Sequence, residues 1–522
     1  MGRSWKNACH TCRRRRLKCD ESKPQCQRCS DDRVDCQGYG NLILWVDGVA
    51  SRGKMMGKTF QVASTPPAGA QTTIDRTPKR KQGSALSKYL PAHKPPPSEA
   101  LEPQATTHYY TPLDPWFQQF DHPTRHYLSH FLIHVGNDLI VHNVPSHHPN
   151  PLRLLLGHAD WKSSLFHVII AMSAQHLHNL LLRAPDAQPY LVDGLRSKGK
   201  ALQLLSHELG HVTPANYTTV LASSMLLSEL AILESADDTW RIHVGAAASL
   251  VQRISASSSV DPKALGEEQD SFCSWIISRL ILQDMFGSSL SSTTASWNVQ
   301  ELSGPQQTLD SALHIAELDH YSSCPAQISR LIISAPSFYR TSNHLSCSDD
   351  PTQCIFVSIH QFDPAEWALT LQPLTPTDDF TERYHIGSAY RAAASIYVSQ
   401  LVPSGYNCAH LPTEPHTLVD EILQQIAQIP RTNPLFKSTI WPIFIAGAQT
   451  VDPQHRSQVL HHLGNLSIAI PWQSTYAAEQ GLQDFWTRID QHNASTGSSN
   501  EARRGRRWLD EFRTMGVSIY PA

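Results

Sequence analysis

The feature that most constrains how this chain can fold is a cysteine pattern near its N-terminus. The spacing C-x2-C-x6-C occurs twice, with six residues between the copies, and its members are Cys9, Cys12, Cys19, Cys26, Cys29 and Cys36. Structural zinc takes four ligands in a tetrahedron, and thiolates are frequent ligands. Six thiolates complete two tetrahedra only if two of them bridge both ions, and the repeat favours one bridge from each half. A single zinc ion with two spare cysteines fits the repeat less well.

The surroundings of these cysteines favour metal binding over disulfides. The N-terminus is polar and rich in arginine, unlike a secretory signal, and no run of about 18 apolar residues predicts a membrane span. An intracellular chain keeps its thiols reduced, and clustered cysteines there are typical metal ligands. The segment has almost no apolar core, so metal binding must supply most of its folding free energy, on the order of 10 kcal/mol. We therefore predict that it is unfolded without metal.

The segments enclosed by the cysteines differ in charge. The first half encloses RRRRLK, residues 13–18, whereas the second encloses the acidic SDDRVD, residues 30–35. We expect a short helix after the second cysteine of each half, pinned by metal at both ends. In the first half such a helix presents a basic face to an anionic partner. Arginine offers a planar fork that pairs with guanine O6 and N7, so part of this run is predicted to read bases and the rest to neutralise phosphates.

The stretch ACHTCRRRRLKCDESKPQCQRCSDDRVDCQGYG resembles the fungal zinc binuclear cluster family of transcription factors. The similarity covers all six cysteines, the basic segment of the first half, Pro24 in the connecting loop, and the pair Gln27 and Arg28. The resemblance implies two zinc ions that are bridged by the first and fourth cysteines, here Cys9 and Cys26.

The same resemblance implies which residues contact double-stranded DNA. Family members usually read CGG-type triplets in the major groove through the middle of the first helix. Base contacts then fall to Arg15 and Arg16, and phosphate contacts fall to Arg13, Arg14 and Lys18. Arginine stands at base-reading positions where the family often has lysine.

Composition divides the chain into three predicted parts: a zinc cluster head at 1–40, a basic segment and Pro/Ser-rich linker at 41–114, and a body at 115–522. Residues 1–100 contain 19 Lys and Arg against 8 Asp and Glu, whereas the remainder contains 24 against 38. That asymmetry indicates a polyanion-binding head on an acidic body. From residue 61 to about 114 the chain is rich in Pro, Ser, Thr and Ala, which predicts a disordered linker.

Two basic stretches lie between the cysteines and the body. GVASRGKMMGKTF resembles the post-cluster stretch of a subgroup that includes the acriflavine sensitivity control protein, and its cations would lie along the phosphate backbone. RTPKRKQG has the charge of a nuclear import patch, formed by Arg76, Lys79, Arg80 and Lys81. A solvated charge run is the alternative interpretation of both stretches.

From residue 115 onward, apolar residues recur at helical spacing in one segment after another. Examples are RHYLSHFLIHVGNDLIVH, WKSSLFHVIIAMSAQHLHNLLL, SMLLSELAILES and AYRAAASIYVSQL. Strand alternation is scarce, so the body is predicted to be all-α, with eight or more helices. The stretches WRIHVGAAASLV, IWPIFIAGAQTVDPQHRSQVLHHL and RWLDEFRTMG resemble the second type of fungal transcription-factor regulatory domain, which implies that the body regulates the head.

One motif favours a different class of protein. HELGH, residues 207–211, matches H-E-x-x-H, in which two histidines on one helix face bind zinc beside a general-base glutamate. Pro214 stands where the extended metzincin pattern has glycine, and Glu229 and Glu234 are candidate third ligands that nothing in the sequence selects. The alternative is thus a zinc-dependent hydrolase with the N-terminal finger as a targeting module, built on His207, Glu208 and His211. A non-DNA scaffold whose finger binds protein is a third hypothesis.

The leading interpretation is a nuclear, sequence-specific transcription factor that is not an enzyme. A zinc-held basic helix reads a short G/C-rich triplet, and a linker joins it to an all-α regulatory body. Candidate partners beyond DNA are a second copy of the chain, the transcription machinery and a small-molecule effector, with no membrane. In the stretch that follows Cys36, no a/d heptads extend over the three or four repeats that a dimerising coiled coil needs. By resemblance, the regulated genes are expected to serve secondary metabolism or drug response.

Overall fold

The chain divides into two compact units, Met1–Ala100 and Leu101–Ala522, which are described one at a time. In the computed structural model the described residues of the first unit are 8, 9, 11, 12, 15, 17–23, 25–32, 34 and 36. Those of the second unit are 115–141, 150–182, 187–235, 238–256, 267–291, 297, 309–341, 354–375, 379–403, 414–496, 507–515 and 519–521. The predicted basic segment and linker at 41–114 lie outside the described residues, and the predicted domain boundaries stay predictions.

The second cysteine half contains a short helix, α1, at Gln27–Asp31. The carboxylate of Asp20 caps it, accepting hydrogen bonds from the backbone N–H groups of Gln27 and Arg28 at 3.0 and 3.1 Å. These N–H groups have no partner within a helix, so a side-chain acceptor stabilises the helix start. The helix therefore begins two residues before Cys29, whereas the sequence had predicted a start after it.

The first cysteine half makes a matching turn at the predicted place. The N–H of Arg15 donates to the carbonyl of Thr11 at 3.0 Å, and the N–H of Leu17 donates to the carbonyl of Cys12 at 3.0 Å. Hydrogen bonds to carbonyls four or five residues earlier are those of a helical turn. These two hydrogen bonds between described residues place a helical turn directly after Cys12.

The described part of the body is built from helices, which confirms the prediction of an all-α fold. Their order is α2 Pro115–Gln118, α3 His122–His130, α4 Gly136–Asp138, α5 Leu155–His158, α6 Ser164–Leu180, α7 Ala187–Leu209, α8 Tyr217–Glu234, α9 Trp240–Ala256, α10 Glu267–Ser289, α11 Leu309–Asp319, α12 Ala326–Thr341, α13 Ile355–Gln361, α14 Pro364–Leu371, α15 Phe380–Leu401, α16 Pro415–Ala427, α17 Ile440–Gln449, α18 Pro453–Ala469, α19 Gln473–Thr496 and α20 Trp508–Met515. A π-helical segment, Phe131–Val135, joins α3 to α4.

Helix α8 forms the centre of the first half of the body. It is buried from Val220 to Leu233, and α6, α9 and α10 pack against it. A helix that is apolar on every face belongs in a core. Its serines are compatible with burial because Ser223 and Ser224 donate to carbonyls one turn earlier, at 2.7 and 3.0 Å. None of the helices in the described residues is long and apolar enough to cross a membrane.

A buried ion pair links α8 to α10. The carboxylate of Glu229 lies 3.5 Å from the guanidinium of Arg279, and both side chains are at most 2% exposed. Arg279 also donates to the carbonyl of Leu139 at 2.8 Å, which holds the segment after α4 against the core. A buried charge needs a partner because its transfer out of water is costly. The contacts of Arg279 therefore hold together α8, α10 and the segment after α4.

Histidines form a second buried polar group, between α3 and α6. The side chain of His130 is buried, and its Nε2 lies 2.9 Å from Nδ1 of His176. Nε2 of His176 in turn lies 3.0 Å from the carboxylate of Asp138. Burial, followed by the charges of His176 and His134, lowers the pKa of His130 to about 3. His130 is therefore neutral in the folded body at neutral pH.

Acid is expected to destabilise the body through His130. Because its folded pKa lies below its unfolded value of about 6.5, the unfolded chain takes up the proton first, and stability falls as pH drops from 6.5 towards 3. Between pH 7 and pH 5 the loss from this one group amounts to about 2 kcal/mol. Urea unfolding of the full chain at the two pH values measures the change, and His130→Gln should reduce it.

The control for this prediction is His122→Gln, on the exposed start of the same helix. Comparing the two variants isolates the contribution of His130 to the pH dependence of stability. Other groups change stability in the opposite direction as pH falls, such as Asp319, whose pKa is raised by burial to about 6. A pH dependence of stability that is unchanged in His130→Gln would contradict the assignment.

Candidate metal centre and nucleic-acid interface

The six N-terminal cysteines come together as two overlapping groups of four. One group contains Cys9, Cys12, Cys19 and Cys26, and the other contains Cys9, Cys26, Cys29 and Cys36. Within each group all the Sγ atoms lie within 4.8 Å of one another. The groups share Cys9 and Cys26, the two residues that the family resemblance had implied as bridging ligands. Among the described residues, these are the two clusters of Cys, His, Asp or Glu side chains whose ligand atoms lie close enough together to hold a metal ion.

The sulfur–sulfur distances fit zinc. Four sulfurs that each lie about 2.3 Å from one ion in a tetrahedron are separated by about 3.8 Å. The shared pair, Cys9 and Cys26, has its Sγ atoms 3.5 Å apart. Sγ of Cys26 lies 3.7 Å from that of Cys12 and 4.0 Å from that of Cys36. Sγ of Cys29 lies 3.8 Å from Sγ of Cys9 and 3.8 Å from Sγ of Cys12. The four inner sulfurs, those of Cys9, Cys12, Cys26 and Cys29, are therefore also close enough together to hold a single ion, and experiment must distinguish that arrangement from two bridged ions.

Each half builds its part of the centre with the same local turn. The N–H of Cys12 donates to Sγ of Cys9 at 3.3 Å, and the N–H of Cys29 donates to Sγ of Cys26 at 3.4 Å. A backbone N–H aimed at sulfur stabilises the thiolate that zinc binds. The C-x2-C spacing brings this about, because it places the second N–H one turn beyond the first sulfur. These four cysteines are buried, and the outer two are half-buried.

Burial opposes ionisation of these thiols in the absence of metal. Burial raises the pKa of Cys9, Cys26 and Cys29. At Cys9 and Cys26 the hydrogen bond from a backbone N–H lowers the pKa and so offsets part of this effect. Zinc binds thiolates, so loading the centre must release protons. Metal affinity should accordingly fall steeply with acidification.

Asp20 is a structural residue of the head that sequence reasoning missed. Besides capping α1, its carboxylate accepts a hydrogen bond from the hydroxyl of Ser22. The hydroxyl of Ser22, then the N–H groups of Arg28 and Gln27, hold the pKa of Asp20 well below its usual range. Asp20 thus ties the loop between the halves to the start of α1. Because Asp20 lies seven residues before Gln27, no local spacing in the sequence signals this cap.

Two of the predicted DNA-contact residues, Arg15 and Lys18, are in the described part of the head, and both are exposed. Nη1 of Arg15 lies 3.0 Å from Oδ2 of Asp32, which belongs to the second half. The same carboxylate lies 3.5 Å from Nε of Arg28. The acidic segment of the second half therefore contacts the basic segment of the first. The other predicted contacts lie outside the described residues: Arg13, Arg14 and Arg16.

The HELGH residues have contacts that are structural. The Glu208 carboxylate accepts a hydrogen bond from the N–H of Ser164 at 2.9 Å and so caps the start of α6. Helix α7 ends at Leu209, so His211 lies outside it, although the His207 and His211 rings stack at 4.9 Å. The proposed third ligands are also engaged: Glu229 pairs with Arg279, and Glu234 pairs with Lys198. This arrangement gives no support to the hydrolase alternative.

Comparison with known proteins defines the class. Residues 107–520 match the fungal specific transcription factor domain, and residues 7–44 match the fungal Zn(2)-Cys(6) binuclear cluster domain. Since the first match spans more than half of the chain, the chain belongs to this family of fungal transcription factors. Its head is a DNA-binding domain of the type that binds two zinc ions. Both resemblances predicted from the sequence are thereby confirmed.

Among its relatives, the chain is 26% identical to the acriflavine sensitivity control protein acr-2 of Neurospora crassa, over 92% of each chain. It is 24% identical to pestheic acid cluster transcriptional regulator 3 of Pestalotiopsis fici, over 46% of this chain and 48% of that one. A shorter stretch is 54% identical to the transcriptional regulatory protein moc3 of Schizosaccharomyces pombe, over 9% of this chain and 10% of the relative. No solved structure matches the chain.

Proposed function

We propose that this chain is a nuclear regulator of RNA polymerase II transcription that reads a CGG-like triplet in double-stranded DNA. In this proposal Arg15 and Arg16 contact bases in the major groove. Phosphate contacts come from Arg13, Arg14 and Lys18. The observation that carries the proposal is the pair of cysteine groups that share two sulfurs, because a metal centre of that kind holds a basic segment in place.

Cys9 and Cys26 would bridge the two zinc ions, and the other four cysteines would each bind one ion. Zinc supplies the free energy that fixes this small segment, in the way that a hydrophobic core does in larger domains. The cysteines on either side of residues 13–18 hold both ends of the basic turn. The backbone that carries Arg15 is then held in place, which allows the position of this arginine to carry sequence information.

The body is proposed to regulate the head through the linker at 41–114. The candidate inputs are a small-molecule effector and the transcription machinery, and a second copy of the chain is a candidate partner on DNA. The names of two relatives refer to acriflavine sensitivity and to a pestheic acid cluster. A gene set for drug response or secondary metabolism is therefore proposed as the target.

The test is selection of bound duplexes from random DNA by the full-length, zinc-loaded chain. We expect a G/C-rich triplet, and a second half-site at fixed spacing would indicate a homodimer. Selection of no sequence at all would overturn the proposal of sequence-specific binding. A protein-binding finger would behave in that way.

Replacing Arg15 with alanine is expected to relax base preference at one position of the selected site, with a discrimination loss of about 1–3 kcal/mol. Lys18→Ala is the matched comparison, since Lys18 is also exposed on the basic segment. It should weaken binding uniformly across sequences and lower the salt dependence by about one phosphate contact. Binding of singly substituted duplexes at several salt concentrations measures both effects. A uniform loss in Arg15→Ala would make Arg15 a phosphate contact instead.

A further inference from the structure

The contact between Arg15 and Asp32 joins the two halves of the head. Their side chains are 38% and 26% exposed, and Nη1 lies 3.0 Å from Oδ2. The two residues are 17 positions apart in the chain, and the helical turn after Cys12 and helix α1 bring them together. A carboxylate beside a base-reading arginine is unexpected on a DNA-binding face, because it repels phosphate.

The geometry leaves the arginine able to bind a base. A guanidinium has five N–H donors in a planar fork, and guanine is read by two of them at O6 and N7. The carboxylate of Asp32 is within hydrogen-bond distance of one nitrogen of Arg15, Nη1. No described residue hydrogen-bonds the edge formed by Nε and Nη2, so that edge is available for bidentate pairing. A partner on one edge also removes side-chain rotamers that would otherwise be lost on binding.

We propose that Asp32 is a positioning residue for base reading, which holds the Arg15 guanidinium in the orientation that pairs with guanine. This inference rests on the proposed function. Asp32 favours the correct triplet by fixing the direction of the fork, whereas its negative charge weakens binding to all duplexes alike, because every sequence carries the same phosphates. Its orienting effect on Arg15 therefore acts on the preference between sequences.

A neighbouring carboxylate provides a control of equal charge. Asp31 is exposed on the same helix and accepts a hydrogen bond from Gln27 Nε2 at 3.3 Å, and it makes no ion pair with another described residue. Asp31→Asn and Asp32→Asn thus change the net charge of the head by the same amount. Only the second replaces the charged acceptor beside Arg15 with a neutral amide.

The test compares binding of the full-length, zinc-loaded variants to the selected duplex and to the same duplex with its triplet scrambled. Asp31→Asn should strengthen binding to both duplexes by a similar factor, leaving their affinity ratio unchanged. Asp32→Asn should strengthen binding to the scrambled duplex but reduce the ratio about three- to tenfold. Zinc content per chain must equal that of the unmodified chain in both variants, which separates positioning from loss of the metal centre.

A double-mutant cycle tests whether the effect passes through Arg15. In an Arg15→Lys background the fork is absent, so adding Asp32→Asn should leave the affinity ratio unchanged. Equal ratios in Asp31→Asn and Asp32→Asn, or an Asp32→Asn effect that persists in Arg15→Lys, would overturn the positioning role. Those results leave sequence-specific binding intact, whereas an unmodified chain with no preference between the duplexes would overturn the proposed function itself.

Discussion

Replacing Cys26 with serine is expected to remove both zinc ions from the head and to abolish binding to the selected DNA site. Cys26 belongs to both groups of sulfurs, so its loss leaves neither group with four ligands. A head with almost no apolar core depends on metal for its folding, to the extent of about 10 kcal/mol. Zinc content by elemental analysis and DNA affinity by titration measure the two effects on the same preparation.

Cys12→Ser is the informative comparison, because Cys12 belongs to one group only. The group of Cys9, Cys26, Cys29 and Cys36 remains complete, so this variant should keep one zinc ion per chain. Cys324→Ser, a buried cysteine of the body, should keep both and serves as the control. If Cys26→Ser and Cys12→Ser retained equal amounts of zinc, Cys26 would not bridge the ions. A single ion held by the four inner sulfurs would then be the better description.

Replacing Arg279 with methionine is expected to destabilise the body by about 3–5 kcal/mol. The substitution keeps an unbranched side chain of similar length but leaves Glu229 as a buried charge without its partner. The carbonyl of Leu139 also loses the hydrogen bond that Arg279 donates. Urea unfolding of the full chain, followed by circular dichroism of the helices, measures the loss.

The matched control is Arg196→Met in an exposed ion pair with Asp193, where the arginine side chain is 73% exposed. Surface pairs contribute little, so no measurable change is expected there. Adding Glu229→Gln to Arg279→Met should recover part of the loss, because the buried charge is then gone. Equal stability of Arg279→Met and Arg196→Met would show that the buried pair does not hold α8 and α10 together.

The metal centre was predictable from sequence because its geometry is local. The C-x2-C spacing alone places an N–H against a sulfur in each half, and the two copies overlap in the structure as the repeat predicts. The start of α1 was placed too late, because Asp20, seven residues before Gln27, adds acceptors for the first two N–H groups to the one that the N-cap residue Cys26 supplies. Spacing within a segment does not reveal an acceptor supplied from outside it.

Helices of the body were predictable from periodicity, but their details depended on context. The segment RHYLSHFLIHVGNDLIVH, predicted as helical, contains the later part of α3 and all of α4, with the π-helical turn Phe131–Val135 between them. Such a turn admits one extra residue, so the apolar spacing alone does not distinguish it from an α-helix. The segment continues to an isolated bridge between Ile140 and His320, which local pattern does not predict.

Long-range charge pairs were beyond the reach of sequence. Glu229 entered the sequence argument only as a candidate zinc ligand, yet the structure pairs it with Arg279, 50 residues later. The sequence shows Asp32 only as part of the acidic segment of the second half, whereas the structure places it in contact with Arg15. Each pairing is set by how helices or metal-held turns pack, and packing brings together residues that no local spacing relates.

The zinc content of the purified, unmodified chain tests the account most directly, when it is followed together with binding to the selected duplex during stepwise chelation. We expect two zinc ions per chain, loss of sequence-specific binding as they are removed, and recovery when zinc is restored. One ion per chain, or none, would contradict the bridged centre. Undiminished affinity for the selected duplex in the metal-free chain would contradict the claim that metal positions the reading arginines.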